Sequence, residues 1–500
     1  MLAGAFAVQW LLLMNILAPT WDAAFYYSYA RSLAFDQDLS LENDLLASYS
    51  TASADFVAAE LHTNRTPTGR VYAPFAIGSG LLWLPLLAIL RLAVLAFGLP
   101  SGSGYEWYMV APVVTFSALT GLLAFYAAFR LARQETGRRA ALLATLTMSF
   151  ATPLLYYQFR EPLYAHVPSA LLTTLFLFAW WRIYREIPSA WRGLGLGALL
   201  GLAALIRWQN AIYLTLPLMS ATWTWLTLPS ETRRQKVATL LTFLSALAGA
   251  FFLVFSAQLI VWQIFYGSWL TIPQGGSFMT WASPFIRELL FSPFRGLLPW
   301  MPIFGLACVG LVVQVRRNPR LVAPLIVLLI LSAYVNASSR DWFAGGGYGP
   351  RRSTGELAIL VLGYAWLLKA LPVTVRTVAG LSAGVFLALH QWLLLRFALA
   401  EQIGGRVVSM APRFEWTEVS LPEFGRQLFG HVPDIIHRPV DVFVLPGSPL
   451  HLVILGGKLP LMHLLSLLVA AAFLLALISI GVVLRRSWRQ RRRWTAYAAS

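Results

Sequence analysis

Apolar runs of about twenty residues recur along almost the whole chain, and each is long enough to cross a bilayer as a helix. Of the 500 residues, 58% are hydrophobic and 12% are charged, about half the charged fraction of a typical soluble domain. A transmembrane β-barrel would alternate apolar and polar residues, whereas these runs are continuous. The pattern therefore predicts an all-α polytopic membrane protein.

Basic clusters orient the predicted helices. We predict about twelve transmembrane helices, near 2–18, 108–129, 139–157, 166–182, 193–207, 209–226, 237–262, 297–314, 321–336, 354–369, 377–397 and 460–484. Lys and Arg cluster between them at 130–139, 182–192, 233–236, 316–320 and 485–493. All five clusters fall on one side, which is then cytoplasmic. The external loops are 20–74, 158–165, 263–296, 337–353 and 398–459. The net charge of +17 comes from loop clusters and not from a soluble basic module, so nucleic acid is not an expected partner.

Residues 74–98 are apolar enough to cross the membrane, but a crossing there would invert every later loop. Pro85 and Arg91 interrupt the run, and proline removes a backbone donor that lipid cannot replace. We predict a re-entrant or membrane-surface helix pair; the alternative is a thirteenth span with the amino terminus outside. In the external loop 20–74 we expect two short helices, Phe25 to Ala34 and Ser53 to Leu61, which roof a cavity.

Two external carboxylates are the candidate catalytic groups. Asp22 lies at the outer end of the first predicted span, where a carboxylate is costly and often functional; it could act as a general base. Alternatively, Asp22 caps the following helix. Glu161 lies in a short turn with Arg160 and His166. Glu161 could bind an acceptor hydroxyl, hold a cation or balance Arg160, whereas a lone histidine such as His166 is more often a hydrogen-bonded wall residue.

External arginines predict an anion site. They are Arg70, Arg207, Arg295, Arg340, Arg351 and Arg352. Arg207 lies between two short apolar runs, and broken helices leave backbone polar groups for a ligand. The planar guanidinium suits phosphate. The alternative is that each arginine reaches the lipid headgroups.

The loop from Asp341 to Arg352 combines glycines with aromatic residues, among them Tyr348. Glycines allow close approach of the backbone to a ligand, and aromatic rings suit the faces of sugars; a plain flexible turn is the alternative. The late loop contains His431, Asp434, His437, Arg438 and Asp441. Their spacing is not that of a zinc motif, so a solvated loop is the preferred interpretation. The single Cys308 excludes an internal disulfide.

An ordered series of motifs resembles a known family. It comprises Asp22 with Tyr26, Tyr29 and Arg31, then Asp36-Gln37-Asp38-Leu39, Arg160-Glu161-Pro162 with His166, Leu205-Ile206-Arg207-Trp208-Gln209-Asn210, Phe291-Ser292-Pro293-Phe294-Arg295-Gly296-Leu297 and Gly346-Gly347-Tyr348-Gly349-Pro350-Arg351-Arg352. Over most of 1–370 this series resembles the GT-C glycosyltransferases. The branch in question is the bacterial relatives of the dolichyl-phosphate-mannose protein mannosyltransferases and of the lipid A aminoarabinose transferase.

The resemblance implies an inverting membrane glycosyltransferase with an external active site and a polyprenyl-phosphate-linked sugar donor. It makes Asp22 the base and Glu161 the second acid. Phosphate and substrate binding falls to Arg70, Arg160, His166, Arg207, Arg295, Tyr348 and Arg351. Ala73 stands where the family commonly has Lys, so Arg70 or another Arg takes over its phosphate contact. No cofactor is assigned, and a divalent metal between the two acids stays open.

The expected partners are the lipid-linked sugar, the bilayer and an acceptor that is a glycan, a lipid or a protein. Residues 1–370 form the catalytic module on this interpretation. Residues 371–500 add C-terminal helices, the loop 398–459 and a basic cytoplasmic tail, in a multi-pass protein of the cell membrane. A transporter or lipid flippase is the alternative, because broken helices and cavity arginines serve both classes. An intramembrane protease is disfavoured, because its serine, aspartate and zinc motifs do not appear.

Overall fold

The computed structural model describes residues 22–48, 64–98, 102–292, 294–345 and 347–372, with positions 14, 19, 384 and 385. Within these ranges the chain is helical and forms no β-strand beyond two isolated bridges. The prediction of an all-α protein is confirmed. The predicted helices at 2–18, 53–61, 377–397 and 460–484 and the loop 398–459 lie outside the described residues.

We number the α-helices in chain order: α1 Asp22–Arg31, α2 Glu42–Ser48, α3 Gly78–Ala96, α4 Trp107–Thr136, α5 Arg138–Phe150, α6 Leu154–Phe159, α7 His166–Trp181, α8 Ala190–Ile206, α9 Thr215–Thr227, α10 Ser230–Tyr266, α11 Ile286–Phe291, α12 Leu297–Trp300, α13 Ile303–Val315, α14 Pro319–Ala337 and α15 Leu357–Ala370. A π-helix, Ser32–Asp36, follows α1, and 3₁₀-helices cover Trp208–Leu214, Gly276–Phe278 and Arg351–Glu356. By length and composition, α3, α4, α10 and α14 could each cross a membrane.

One continuous helix, α3, covers Gly78–Ala96 of the segment 74–98, so the predicted helix pair is wrong. Pro85 lies inside α3 and removes one intrahelical hydrogen bond, a loss that neighbouring helices compensate in membrane proteins. The helix packs against α1. Arg91 reaches the segment that follows α1, where its guanidinium bonds the carbonyl of Ala34 and lies 4.8 Å from the ring of Phe35. The helix α3 thus continues past Pro85, where the sequence predicted a break, and packs against α1.

Three predicted spans are interrupted near one end of the bundle. The segment 139–157 breaks at Pro153 into α5 and α6, and the segment 209–226 begins as the 3₁₀-helix Trp208–Leu214. The segment 354–369 begins within the 3₁₀-helix Arg351–Glu356. These breaks place loop-like backbone beside the candidate site, as expected where non-helical backbone lines a protein cavity.

Close packing of α8 against α10 fixes the position of Arg207, which follows α8. Gly193, Gly197 and Gly201 recur every four residues on α8, and a Cβ at any of them would collide with atoms of α10. Small residues at this spacing let two membrane helices approach closely. Behind them α15 is buried along its length from Leu357 to Leu368, as expected for a helix that is apolar on all sides.

The four described basic clusters lie at the bundle end opposite the candidate site. Glu135 joins two helix ends, because its side chain accepts from Trp181 at 2.7 Å and its carbonyl accepts from Lys369 at 2.7 Å. Arg320 donates to Thr227, close to the cluster 233–236, at 3.1 Å. The candidate residues below occupy the other ends of α7, α8, α14 and α15.

Candidate active site

An ion pair between Asp22 and Arg351 joins two parts of the chain that are distant in sequence. Asp22 begins α1, and its Oδ2 accepts from Nη1 of Arg351 at 2.7 Å. Their side chains are 24% and 12% exposed. Burial disfavours the charged guanidinium, but the charge of Asp22 outweighs it and the pKa of Arg351 lies above its ordinary value. Arg351 is therefore held in its charged form.

Tyr164 brings Asp22 and Glu161 into one neighbourhood. Its ring lies under the guanidinium of Arg351, with 5.4 Å between Cζ and the ring centroid. Burial, followed by the negative charges of Asp22 and Glu161, raises the pKa of the Tyr164 hydroxyl well above its usual value. The hydroxyl of Tyr157 also interacts electrostatically with both acids. The two predicted carboxylates thus face the same pair of tyrosines.

Arg207 and His166 form the opposite wall of this neighbourhood. Arg207 follows α8, and its Nη1 lies 3.1 Å from Nδ1 of His166, the first residue of α7. The same Nδ1 lies 3.1 Å from Oγ1 of Thr354, which donates to the carbonyl of Arg351 at 2.9 Å. The imidazole ring packs 4.5 Å from the ring of Tyr157. A chain of contacts therefore runs from Arg207 through His166 and Thr354 to Arg351, which pairs with Asp22.

Arg295 is a buried cation without a counter-ion in the described part of the chain. Its side chain is 1% exposed, and Nε, Nη1 and Nη2 have no hydrogen-bond partner among the described residues. Its guanidinium lies 5.2 Å from the ring of Phe294 and interacts electrostatically with Tyr157 and Arg351. Burial lowers the pKa of Arg295 to about 10, so it is still charged at neutral pH. A buried charge of this kind requires a compensating partner.

The glycine-rich loop closes one side of the site. A Cβ at Gly347 would lie 2.7 Å from the hydroxyl of Tyr157, so any larger residue there would displace Tyr157 or Arg351. That hydroxyl donates to the carbonyl of Tyr348 at 2.9 Å, and Arg351 donates through Nε to Ala344 at 2.9 Å. Asp341 pairs with Arg352 at 3.0 Å. The loop therefore positions Arg351 and satisfies Arg352 through its own residues.

Two predicted binding residues lie outside this neighbourhood. Arg70 is exposed; it donates to the carbonyl of Leu39 at 3.2 Å and lies 5.6 Å from the ring of Phe265, and no contact among the described residues joins it to Asp22. The ring of Tyr348 is fully buried and stacks on Tyr156 at 5.0 Å. Tyr348 thus forms the wall behind the site rather than its surface. Arg160 ends α6 beside Glu161 and is half-buried.

Four residues of the neighbourhood were assigned no site role from the sequence: Tyr26, named only within the first motif, Tyr157, Thr354 and the buried Glu356. The hydroxyl of Tyr26 interacts electrostatically with Asp22, Arg207 and Arg351. Its spacing of four residues from Asp22 puts both on one face of α1, and this was an available signal. Tyr157 lies inside an apolar run, and no sequence pattern marks it as a residue of the site.

The sequence does not decide whether a divalent metal binds between Asp22 and Glu161. Within the described ranges, no group of three or more His, Cys, Asp and Glu side chains gathers as a set of metal ligands. The sequence cluster from His431 to Asp441 lies outside those ranges.

Comparison with known proteins finds similarity among solved structures. No family model and no curated protein matches the sequence. The chain is similar to ArnT from Cupriavidus metallidurans bound to undecaprenyl phosphate, with a TM-score of 0.47 and 15% identity over 89% of this chain and 74% of that chain. The apo state of ArnT gives a TM-score of 0.48 and 14% identity over 89% and 73%. ArnT is a lipid A aminoarabinose transferase with a GT-C fold.

Proposed function

We propose that the protein is a membrane glycosyltransferase that moves a sugar from a polyprenyl-phosphate-linked donor to an acceptor hydroxyl. The observation that carries this proposal is the pairing of Asp22 with Arg351 beside two further arginines, Arg207 and Arg295. The site lies at the bundle end opposite the basic clusters. The positive-inside rule puts the clusters on the cytoplasmic side, and the site is then on the external face. A lipid-linked substrate presents its phosphate at such a surface.

The balance of charge supports an anionic ligand. Arg351 is neutralised by Asp22 and Arg352 by Asp341. Arg207 bonds the uncharged Nδ1 of His166 and interacts electrostatically with the buried carboxyl of Glu356 without an ion pair, and Arg295 has no acceptor among the described residues. Of these four arginines, two therefore lack an ion pair and remain for a ligand. A phosphodiester donor carries one negative charge, and the phosphomonoester that leaves carries about −1.5 to −2 at neutral pH, so the two arginines stabilise the leaving group more strongly than the substrate.

Asp22 is suited to receive the proton of the acceptor. Arg351 holds Oδ2, which orients the carboxylate and directs Oδ1 to the acceptor. In the reaction, the acceptor oxygen bonds to the anomeric carbon and its proton passes to Asp22. The bond between that carbon and the phosphate oxygen breaks, and the electron pair stays on the phosphate. A single displacement of this kind inverts the anomeric configuration. Glu161, near the same tyrosines, binds the acceptor from the second side.

The test is transfer by Asp22→Asn. The full-length protein in nanodiscs is mixed with host membranes as the acceptor source and with a panel of undecaprenyl-phosphate pentoses and hexoses, and release of undecaprenyl phosphate is measured. We expect loss of at least about a hundredfold in rate, the range that a general base contributes, with unchanged binding of undecaprenyl phosphate. The matched control is Asp36→Asn, in the same external loop, which should transfer normally.

Two outcomes would contradict the proposal. Transfer by Asp22→Asn at the unaltered rate would remove Asp22 as the base. Movement of undecaprenyl phosphate across the bilayer, without formation of a glycosidic bond for any donor, would instead support the flippase alternative.

A further inference from the structure

The hydrogen bonds of His166 determine which of its ring nitrogens carries the proton. Arg207 Nη1 and Thr354 Oγ1 both lie 3.1 Å from Nδ1. A guanidinium can donate hydrogen bonds but cannot accept one. A proton on Nδ1 would therefore point at an N–H of Arg207, so Nδ1 must be the acceptor whenever Arg207 contacts it.

Thr354 is compatible with this arrangement. Its hydroxyl has one proton, which is donated to the carbonyl of Arg351 at 2.9 Å and can rotate toward Nδ1. A hydroxyl therefore fits either tautomer of His166, whereas Arg207 fits one. A hydrogen bond from a charged donor is also about twice as strong as a neutral one, so Arg207 decides the tautomer.

The proton of neutral His166 is then on Nε2. That nitrogen lies on the side of the ring away from Arg207 and Thr354, and none of the described residues bonds to it. His166 is 6% exposed, and its ring packs against Tyr157 and Tyr164, the two tyrosines that face Asp22 and Glu161. A donor so placed is available to an acceptor on a ligand.

We propose that Arg207 holds His166 as the neutral Nε2–H tautomer, and that this N–H donates to a phosphate oxygen of the bound lipid donor. The second half of this inference, the hydrogen bond to phosphate, rests on the proposed function. His166 is then a fixed hydrogen-bond donor and not a base, and Arg207 is a positioning residue for it as well as a cation for the phosphate. Protonation of His166 is opposed first by its burial and then by the second positive charge that it would put 3.1 Å from Arg207.

The first measurement reads the tautomer directly. The full-length protein with ¹⁵N-labelled histidine is placed in nanodiscs, and its ¹⁵N spectrum is recorded without lipid phosphate between pH 5.5 and 7.5. His166→Gln identifies the His166 signals by their loss. We expect a protonated Nε2 and an unprotonated Nδ1 throughout this range. A proton on Nδ1, or titration of His166 within this range in the unaltered protein, would overturn the first half.

The second measurement compares two amides. The amide nitrogen of Gln occupies the place of Nε2, and that of Asn the place of Nδ1. We expect His166→Gln to bind undecaprenyl phosphate within about threefold of the unaltered protein. His166→Asn should bind about tenfold more weakly or worse, as for loss of a hydrogen bond to a charged group. Equal loss in both variants would overturn the second half.

A pair of changes at Arg207 separates positioning from general structure. Arg207→Lys keeps a cationic donor and should leave the tautomer unchanged. Arg207→Met removes it, and Thr354 alone fits either tautomer, so part of the His166 population should then carry its proton on Nδ1 in the ¹⁵N spectrum. A spectrum of Arg207→Met that still shows only the Nε2–H tautomer would contradict the positioning role.

The two proposals fail in different ways. If undecaprenyl phosphate does not bind the unaltered protein, the proposed function and the second half of this inference are both refuted. The tautomer of His166 is measured without lipid phosphate, so the first half stands or falls on the ¹⁵N spectrum alone.

Discussion

Replacement of Arg295 by methionine should stabilise the protein while weakening its binding of phosphate. The fall in the pKa of Arg295 from 12.5 to about 10 corresponds to a burial penalty of about 3 kcal/mol, at about 1.4 kcal/mol per pKa unit. Methionine removes this penalty and fills similar space. It also loses the contact with the ring of Phe294, worth about 1 kcal/mol. The expected net gain in the free energy of unfolding is about 2 kcal/mol.

The matched control is the same substitution at Arg352. Burial also lowers the pKa of Arg352 to about 10, but Arg352 pairs with Asp341 at 3.0 Å and bonds Ser339. Arg352→Met leaves both partners unsatisfied and should destabilise the protein by about 1–3 kcal/mol. The two changes remove the same charge and differ in what each arginine contacts, so the expected effects have opposite signs.

Thermal unfolding in detergent, with and without undecaprenyl phosphate, measures both effects. Without lipid, Arg295→Met should unfold at a higher temperature than the unaltered protein, and Arg352→Met at a lower one. Undecaprenyl phosphate should bind Arg295→Met about 10- to 100-fold more weakly, as for loss of a buried charged hydrogen bond. Destabilisation by Arg295→Met together with unchanged lipid binding would show that Arg295 has a counter-ion in the unliganded protein, and the anion site would be refuted.

Two further predictions concern the rest of the fold. Asp44 has a buried side chain, and burial raises its pKa from 3.8 to about 6. The protonated carboxyl therefore stabilises the fold fully below about pH 4, and this stabilisation is lost as the pH rises through 6. Asp44→Asn should be more stable than the unaltered protein at pH 7.5 by about 2–3 kcal/mol and equal to it near pH 4, and a gain that persists at pH 4 would contradict this origin. Gly197→Val should collide with α10 at Leu247 and destabilise by about 1–3 kcal/mol. Gly195→Val, with nothing within 4 Å of its added Cβ, should be neutral by the same thermal assay, and equal loss in both would refute the close helix contact.

The charged residues of the site could be predicted because charge is rare in this chain. Only 12% of the residues are charged, so an Asp or Arg outside the basic clusters stands out against an apolar background. Asp22, Glu161, Arg207 and Arg351 were selected on this ground, and the structure places them around shared tyrosines. Arg70 met the same criterion but lies elsewhere, because sequence position does not report which way a loop folds.

Aromatic and backbone features of the site could not be predicted in this way. Tyr157 is one of many aromatic residues in apolar runs, and its role depends on the approach of Gly347 from a distant loop. The continuity of α3 depends on its contact with α1, which no local pattern around Pro85 contains. Continuous apolar runs therefore located the described helices, while contacts between helices determined where they bend and break.

The Asp22–Arg351 pair also constrains how the protein is made. The two partners are separated by 329 positions, and synthesis proceeds from the amino terminus at about 5–20 residues per second. For tens of seconds, α1 must wait with its carboxylate unmatched while the later helices enter the bilayer. A nascent or truncated chain that stops before the glycine-rich loop holds Asp22 without the cation that pairs with it, so the candidate site is completed late in biogenesis.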